Sequence, residues 1–441
     1  MSRRPRRRPP KRGGKAPSRP AEVVTIRSLG RQGDGESVLA DGTRVFVPFT
    51  VPGESVRVRP SVKRGDGFAA EIEDRLSGAS DAEPVCPLFG RCGGCQVQHL
   101  PENDYVTWKT QAVEKALSRH GITVPLEPLR RVPLASRRRI RMSAVKTAQG
   151  LVMGFNAARS GVIQNVDACP LLIPELQALI APVRALIDTL LSGGGRADVA
   201  MSVPRPGMKD VLIETDAEFD LEAREAIVAA AERFDIARIA SAVPGQEPLP
   251  ILQRLPVTAD TGGVAVELPI GSFQQPSEAG ERVLRELVQL GVADAARIAD
   301  LFCGIGTFSL PVAVAGAQVL AVDNGSAAIA ALDLCAGRAG LGGRIETEVR
   351  DLFSRPLDAK TLNRFDAVVF DPPRAGAAEQ ALALAESEVP VIVAVSCNPA
   401  TLGRDLKSLV DSGYEIEKVV PVDQFPMTYH VEAVAYLRRS A

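Results

Sequence analysis

An α/β fold with a parallel sheet is predicted for the C-terminal part of this 441-residue chain, preceded by a small β-barrel and a mixed α+β region. Three observations carry this expectation. From about residue 266 strand, glycine turn and helix alternate, the pattern of parallel strands joined by crossover helices. Residues 21–77 hold five short strand-like segments parted by turns, the make-up of an OB-like barrel. Between these lie mixed signals, including a cysteine cluster and an arginine-rich stretch. A prior of roughly 150 residues per domain agrees with about three domains. The expected boundaries are 1–20 for a basic tail, 21–77 for the barrel, 78–265 for the central domain and 266–441 for the α/β domain.

Composition narrows the class. Hydrophobic residues at 45% and charged residues at 24% are the balance of a chain with a sizeable core, which excludes a largely disordered or fibrous protein. No apolar run is long enough to span a membrane, and the basic N-terminus lacks the apolar stretch of a secretory signal, so a cytoplasmic location is expected. In that reducing setting the seven cysteines are expected as thiols, metal ligands or nucleophiles rather than disulfides. Residues 1–20 carry nine Lys or Arg and no acid, against a net charge of −1 for the whole. Such a block attracts polyanions, nucleic acid first among them, or merely solubilises; the tail alone favours neither.

In the barrel, strands are expected at 23–26, 37–39, 43–47, 55–62 and 68–76, with Asp41-Gly42 as a tight hairpin turn. Val56 and Val58 alternate with Arg57 and Arg59, which sets apolar groups on one face and guanidinium groups on the other. The outward arginines fit RNA binding or a solvated face. In the central region Tyr105, Trp108, Ala112, Val113, Ala116 and Leu117 recur at helical spacing as a core-facing stripe. Six arginines crowd residues 130–141, and Arg137, Arg139 and Arg141 would share one strand face, where phosphate contact is the preferred reading.

The α/β part concentrates its chemistry at strand ends. The strand at 297–302 runs into Cys303-Gly304-Ile305-Gly306-Thr307, where the two glycines let the backbone turn sharply and approach a ligand. The next strand ends in Asp323, placed to bond both hydroxyls of an adenosine ribose. Ser309 stands where a nicotinamide site wants a third glycine, which favours S-adenosylmethionine. Three further strand ends carry Asp351 toward an adenine, Asp371-Pro372-Pro373-Arg374, and Ser396-Cys397-Asn398-Pro399. These loops are expected to converge on one crevice outside the carboxyl edge of the sheet. A lone cysteine is more often a packed small hydrophobe. Here Asn398-Pro399 breaks the chain before a helix expected at 402–409, so Cys397 lies near a helix N-terminus, whose dipole is expected to favour a thiolate nucleophile.

On these residues the chain resembles the RNA 5-methyluridine methyltransferase family, in the branch with an N-terminal TRAM domain and an iron–sulfur cluster. The likeness runs from about residue 22 to the C-terminus and is most specific at Asp300–Phe308, Asp371–Gly376, Val395–Leu406 and Asp423–Glu432. The TRAM likeness rests on Leu29-Gly30, Gly33-Asp34-Gly35 and Phe46-Val47-Pro48. The resemblance implies an S-adenosylmethionine-dependent enzyme that methylates C5 of a uridine, with Cys397 as the nucleophile at C6 and Glu432 as the base. It implies cofactor contacts from Gln275, Phe302, Gly304, Gly306, Thr307, Asp323, Asp351 and Asp371. Cys86, Cys92 and Cys95 with the remote Cys169 are compatible by spacing with zinc or a cubane, and the resemblance implies a [4Fe–4S] cluster. Cys303 and Cys335 are read as packed residues. The barrel and the cysteines favour 23S rRNA as the substrate. The alternatives are the same reaction on tRNA, or a non-catalytic RNA-binding protein with the same fold. No membrane and no obligate protein partner are expected.

Overall fold

The computed structural model describes residues 19–158 and 160–440. The expected basic tail lies outside them, except for Arg19 and Pro20. Two compact units divide the chain: one runs to Gly90 and includes Cys95–Trp108, the other takes Arg91–Gly94 and everything from Lys109.

The first unit is built on β1 (Glu22–Thr25), β2 (Ser28–Leu29), β3 (Gly35–Val38), β4 (Arg44–Val47), β5 (Ser55–Arg64) and β6 (Gly67–Ser77). They form one sheet in the order β1-β5-β6-β4-β3-β2, consistent with an OB-like element. Val24, Val45, Val47, Val56 and Val58 supply its core, as the alternation requires. Arg57 and Arg59 do point outward, but each meets an acid of β6, Arg57 to Asp74 at 3.3 Å and Arg59 to Glu73 at 2.6 Å. Their charge is therefore compensated within the sheet. The Gly30–Gly35 segment is a tight turn in which Gly33 takes φ +83° and Gly30 N–H donates to Asp34 O at 2.8 Å.

The division between units falls inside α1 (Glu102–Ser118), whose expected stripe is buried at Tyr105, Trp108, Val113, Ala116 and Leu117 and half-buried at Ala112. In the second unit β7 (Arg130–Arg131) is followed by β8 (Arg139–Thr147), β9 (Gly150–Asn156), β10 (Ile163–Asn165), α2 (Pro174–Leu190), β11 (Arg196–Ser202), β12 (Lys209–Thr215), α3 (Leu221–Arg233), β13 (Ile236–Ala242) and β14 (Leu249–Gln253). β8 to β14 make a seven-stranded sheet ordered β10-β9-β8-β11-β12-β13-β14, antiparallel throughout except for β12 with β13. A hairpin of β15 (Thr258–Thr261) and β16 (Val264–Glu267) leads to α4 (Glu278–Gly291), capped by Ser277, whose hydroxyl accepts from Gly280 N–H.

The α/β core follows as β17 (Arg297–Leu301), α5 (Ser309–Val314), β18 (Gln318–Asp323), α6 (Ser326–Arg338), β19 (Ile345–Val349), α7 (Ala359–Leu362), β20 (Ala367–Phe370), α8 (Ala378–Ala385), β21 (Val391–Ser396), α9 (Pro399–Asp411), β22 (Tyr414–Asp423) and β23 (Glu432–Arg439). Its sheet is ordered β19-β18-β17-β20-β21-β23-β22-β7. β17 to β21 are mutually parallel and β23 is antiparallel to both neighbours, a Rossmann-like arrangement. Alternate residues feed two cores: Ile298, Val369 and Val393 one face, Leu301, Val368 and Ile392 the other. Two elements were not read from the sequence: β2, which makes the barrel sheet six-stranded where five strands are expected, and β7, which leaves the central region and pairs with β22 through Arg130 and Arg131. Among the described residues no helix is long and apolar enough to cross a membrane.

Candidate active site

β18 and β20 flank β17, so the strand order reverses there and the loops after β17 and β20 open a crevice at the carboxyl edge. Phe302 leaves β17 at φ +64°, Gly304 takes +55° and Gly306 +86°. The two glycines serve different needs. A Cβ on Gly306 would lie 2.5 Å from Leu332 Cδ1, so the turn can seat on α6 only without a side chain there. A Cβ on Gly304 would meet nothing within 4 Å, which leaves its backbone open to a ligand. Asp323 anchors the turn: its Oδ2 accepts from Gly304 N–H at 3.0 Å and its Oδ1 from Gly325 N–H at 2.7 Å. Each oxygen keeps a lone pair for a further donor. Thr307 is half-buried beside it.

Asp351, expected at an adenine, spends its carboxylate on its own turn. Oδ1 accepts from Phe353 N–H at 3.0 Å and Oδ2 from the Ser354 hydroxyl at 2.9 Å, and these bonds hold its pKa below the usual carboxylate value. The turn sets the Phe353 ring 5.4 Å from that of Phe302. A pair of rings, one of them unremarked in the sequence, thus lines the place where the acid alone was expected. Behind the glycine turn Asp300 is buried, with Oδ2 accepting from Ser309 Oγ at 2.5 Å and Oδ1 without a partner. Burial pushes its pKa up to about 7.

The second half of the crevice is a polar chain. Asp371 follows β20, and Gln275 Nε2 lies 3.5 Å from its Oδ2. Gln275 Oε1 accepts from Gln424 Nε2 at 2.9 Å, and the same nitrogen donates to Glu432 Oε1 at 2.8 Å. Asp371 and Glu432 both titrate above the ordinary carboxylate range, through burial first and, for Asp371, the neighbouring charge of Glu432. Cys397 stands half-buried at the end of β21, with Asn398 as the cap of α9 accepting from Ala400 N–H. Its thiol is pushed up to about 12 by burial, then by Glu432 and Asp371, against a smaller opposing effect of Arg374. The expected thiolate-favouring environment is therefore overturned. A helix end is worth about 0.3–1 kcal/mol, less than burial beside two carboxylates. Arg374 is tied in place by its carbonyl, which accepts from Asn398 Nδ2 at 2.9 Å, and by its guanidinium 3.1 Å from His430 Nδ1.

Two residues near this chain gave no sequence signal as site residues. Lys109 sits beside the apolar stripe of α1, fully buried, with Nζ donating to Asp423 Oδ1 at 2.8 Å, to Phe425 O at 3.3 Å and to His430 O. It straps the loop that leads from Gln424 to Glu432. Gln424 itself is 2% exposed and lies inside a block that the sequence singled out for Glu432 alone.

Arg137, Arg139 and Arg141 line one groove of about 390 Å³, together with Phe273 and Phe425. Phe273 is 66% exposed, and the Arg139 guanidinium lies 5.0 Å from its ring centre while donating to Gln274 O. Arg141 is held by Glu214 and by Asp198 at 3.2 Å, so its charge is partly met within the sheet. Arg138, between them in sequence, points the other way into a buried ion pair with Glu281.

The cysteine quartet is not supported as a metal centre. Among the described residues no three of His, Cys, Asp and Glu form a group able to hold a metal ion. Spacing along the chain constrains only near neighbours: Gly94 N–H lies 3.4 Å from Cys92 Sγ, and Cys169 N–H donates to Gln177 Oε1. Cys303 and Cys335 are buried, as expected of packed thiols.

Comparison with known proteins agrees with this geometry. The family model described as tRNA (uracil-5-)-methyltransferase matches residues 347–440. An uncharacterised RNA methyltransferase of Brucella suis is 40% identical over 417 residues, covering 94% of this chain and 97% of that protein. The 23S rRNA (uracil(1939)-C(5))-methyltransferase RlmD of Chromohalobacter salexigens is 32% identical over 429 residues, covering 95% and 90%. Among solved structures, that of the Pyrococcus abyssi tRNA (uracil-54, C5)-methyltransferase in complex with S-adenosyl-L-homocysteine superposes with a TM-score of 0.70 at 24% identity, covering 94% of this chain and all of that one, a likeness of fold.

Proposed function

The chain belongs to the uracil-C5 RNA methyltransferase family, and from that premise we propose that it methylates C5 of a uridine in RNA, with Cys397 as nucleophile and Glu432 as general base. The observation that carries the reading is the meeting of Cys397, Glu432 and Asp371 in one crevice beside the glycine turn, close enough for both carboxylates to raise the thiol pKa.

Gly304, Gly306, Thr307, Asp323, Asp351 and Phe302 on one side, and Gln275 and Asp371 on the other, are the residues that would hold S-adenosylmethionine. The open face of Gly304 and the spare acceptor capacity of Asp323 fit that ligand. When bound it supplies a methyl group on a sulfonium, an electrophile. C5 of uracil is too weak a nucleophile to take that methyl unaided. The Cys397 sulfur forms a bond to C6, its proton passing to solvent, and the C5–C6 π pair moves onto C5 and O4. C5 then takes the methyl group, the methyl–sulfur bond breaking with its electron pair left on a neutral thioether. Glu432 removes the proton that C5 still carries, the electron pair restores the C5–C6 double bond, and the sulfur–C6 bond breaks. The sum is one methyl in, one proton out. Arg374, the nearby cation that favours the thiolate, is placed to assist the first step.

Two of the comparisons name tRNA and one names 23S rRNA, so the ribosomal expectation does not stand ahead of tRNA. The full-length relative RlmD keeps 23S rRNA as the second reading. Transfer of labelled methyl from S-adenosylmethionine to unmodified tRNA and, separately, to unmodified 23S rRNA, with nucleoside analysis, decides between them. 5-Methyluridine in neither, from protein that binds the cofactor, would return the non-catalytic reading. The division at 20, 77 and 265 into a tail and three domains and a cytoplasmic location remain part of the proposal. So does the [4Fe–4S] assignment, which rests on resemblance alone. Protein prepared without oxygen should show visible absorption that Cys92→Ser bleaches, and colourless, iron-free protein would remove it.

A further inference from the structure

We infer that Gln424 is a positioning residue that holds the base Glu432 ready for proton removal and ties it to the cofactor-side amide of Gln275. The inference rests on the reading of Glu432 as the base. Both N–H groups of the Gln424 carboxamide are committed, one to Gln275 Oε1 at 2.9 Å and one to Glu432 Oε1 at 2.8 Å. The opposite amide orientation would set its oxygen against two oxygens, so the network itself selects this one. The result is a chain of hydrogen bonds from Glu432 through Gln424 and Gln275 toward Asp371, acidic at both ends and amide in the middle. Each end of the chain bears on a different partner in the reaction: Glu432 on the uridine C5 proton, and Gln275 and Asp371 on the cofactor.

The side chain has no alternative place. Gln424 packs on the first turn of α4, where a Cβ on Gly280 would lie 2.6 Å from Gln424 Oε1 and 2.7 Å from its Cβ. That oxygen is buried and has no hydrogen-bond partner, so the residue is not kept for the sake of its acceptor. What an apolar side chain of the same size could not supply is the donor to Glu432. The groups facing Glu432 are the carboxyl of Asp371, the guanidinium of Arg374 and the thiol of Cys397, and Gln424 is the neutral donor among them. Its bond favours the ionised carboxylate, the form that a base needs.

The test uses the full-length wild type, Gln424→Leu and Gly280→Ala, the last displacing the amide without touching either carboxylate. Gln424→Leu should lower kcat about tenfold or more, with KM for RNA and cofactor within about threefold of wild type. It should also accumulate a denaturation-resistant protein–RNA adduct, because proton removal comes after carbon–carbon bond formation. The acidic limb of its pH–rate profile should move to higher pH by about one unit, since losing a donor to the ionised form raises the pKa. Gly280→Ala should show the same three signs in weaker form. Wild-type kcat, no adduct and an unmoved limb in a folded Gln424→Leu protein would overturn the inference while leaving the methylation reading intact. A wild type that makes no 5-methyluridine would instead overturn that reading and this inference with it.

Discussion

Iodoacetamide at pH 8 should leave Cys397 almost unmodified while exposed thiols react. The ordinary value for the thiol is 9.0, and the site pushes it up to about 12. At pH 8 the thiolate, which is the reactive form, would fall from about one molecule in ten to about one in ten thousand, close to a thousandfold loss of rate. Burial is the largest cause, followed by Glu432 and then Asp371. Glu432→Gln removes one of those charges, and every pK unit recovered is a tenfold gain in rate, so this variant should alkylate faster at the same pH. Arg374→Met removes the opposing cation and should alkylate more slowly. The assay is the modification rate of the Cys397 peptide by mass spectrometry from pH 7 to 10.5. The shape of the profile separates ionisation from access: the logarithm of the rate should climb by about one per pH unit with no plateau. A plateau below pH 9 would refute the argument and return the helix end of α9 as the dominant influence.

Asp300→Asn should flatten the pH dependence of stability. The folded state holds the Asp300 proton up to about pH 7 while the unfolded chain releases it near 3.8, so wild-type stability falls as pH rises across that window, by up to about 4 kcal/mol. Urea unfolding at pH 5 and pH 8 would show the wild type losing more than the variant, and equal losses would count against the shift. Lys109→Met strands the buried Asp423 carboxylate and should cost about 3–5 kcal/mol in thermal or urea unfolding. Adding Asp423→Leu should recover much of it, and a double variant no better than the single would show that the pair does not act as one. Gly306→Ala meets both a φ of +86° and Leu332, so it should destabilise by more than the roughly 1 kcal/mol of the backbone penalty alone. Leu332→Ala in the same chain should relieve the steric part, and strict additivity of the two changes would refute the contact.

Much of the fold was readable because it is local. Apolar alternation in residues 55–58, glycine at 304 and 306 and the run from Val391 to Ser396 are consequences of backbone periodicity and dihedral freedom, which neighbours along the chain decide. The placement of Cys397 between a strand and a nearby helix was legible for the same reason, although the helix starts at Pro399 rather than at 402. Charge was much less so. Arg57, Arg59 and Arg141 read as a basic surface, yet each finds an acid across its sheet. Asp351 read as a ligand group, and its carboxylate also ties its own turn.

By itself the sequence determined the alternation of strand, turn and helix from about residue 266, that the reactive side chains sit at strand ends, and that two glycines make the turn. Only the tertiary structure decided how those side chains ionise and which of them are linked. Gln424 meets Gln275 across 149 residues, and Lys109 meets Asp423 across 314. Dihedral preference and hydrophobic period act over a few residues. Burial and charge–charge energy depend on distance through space, and no pattern along the chain encodes that until the sheet has brought its ends together.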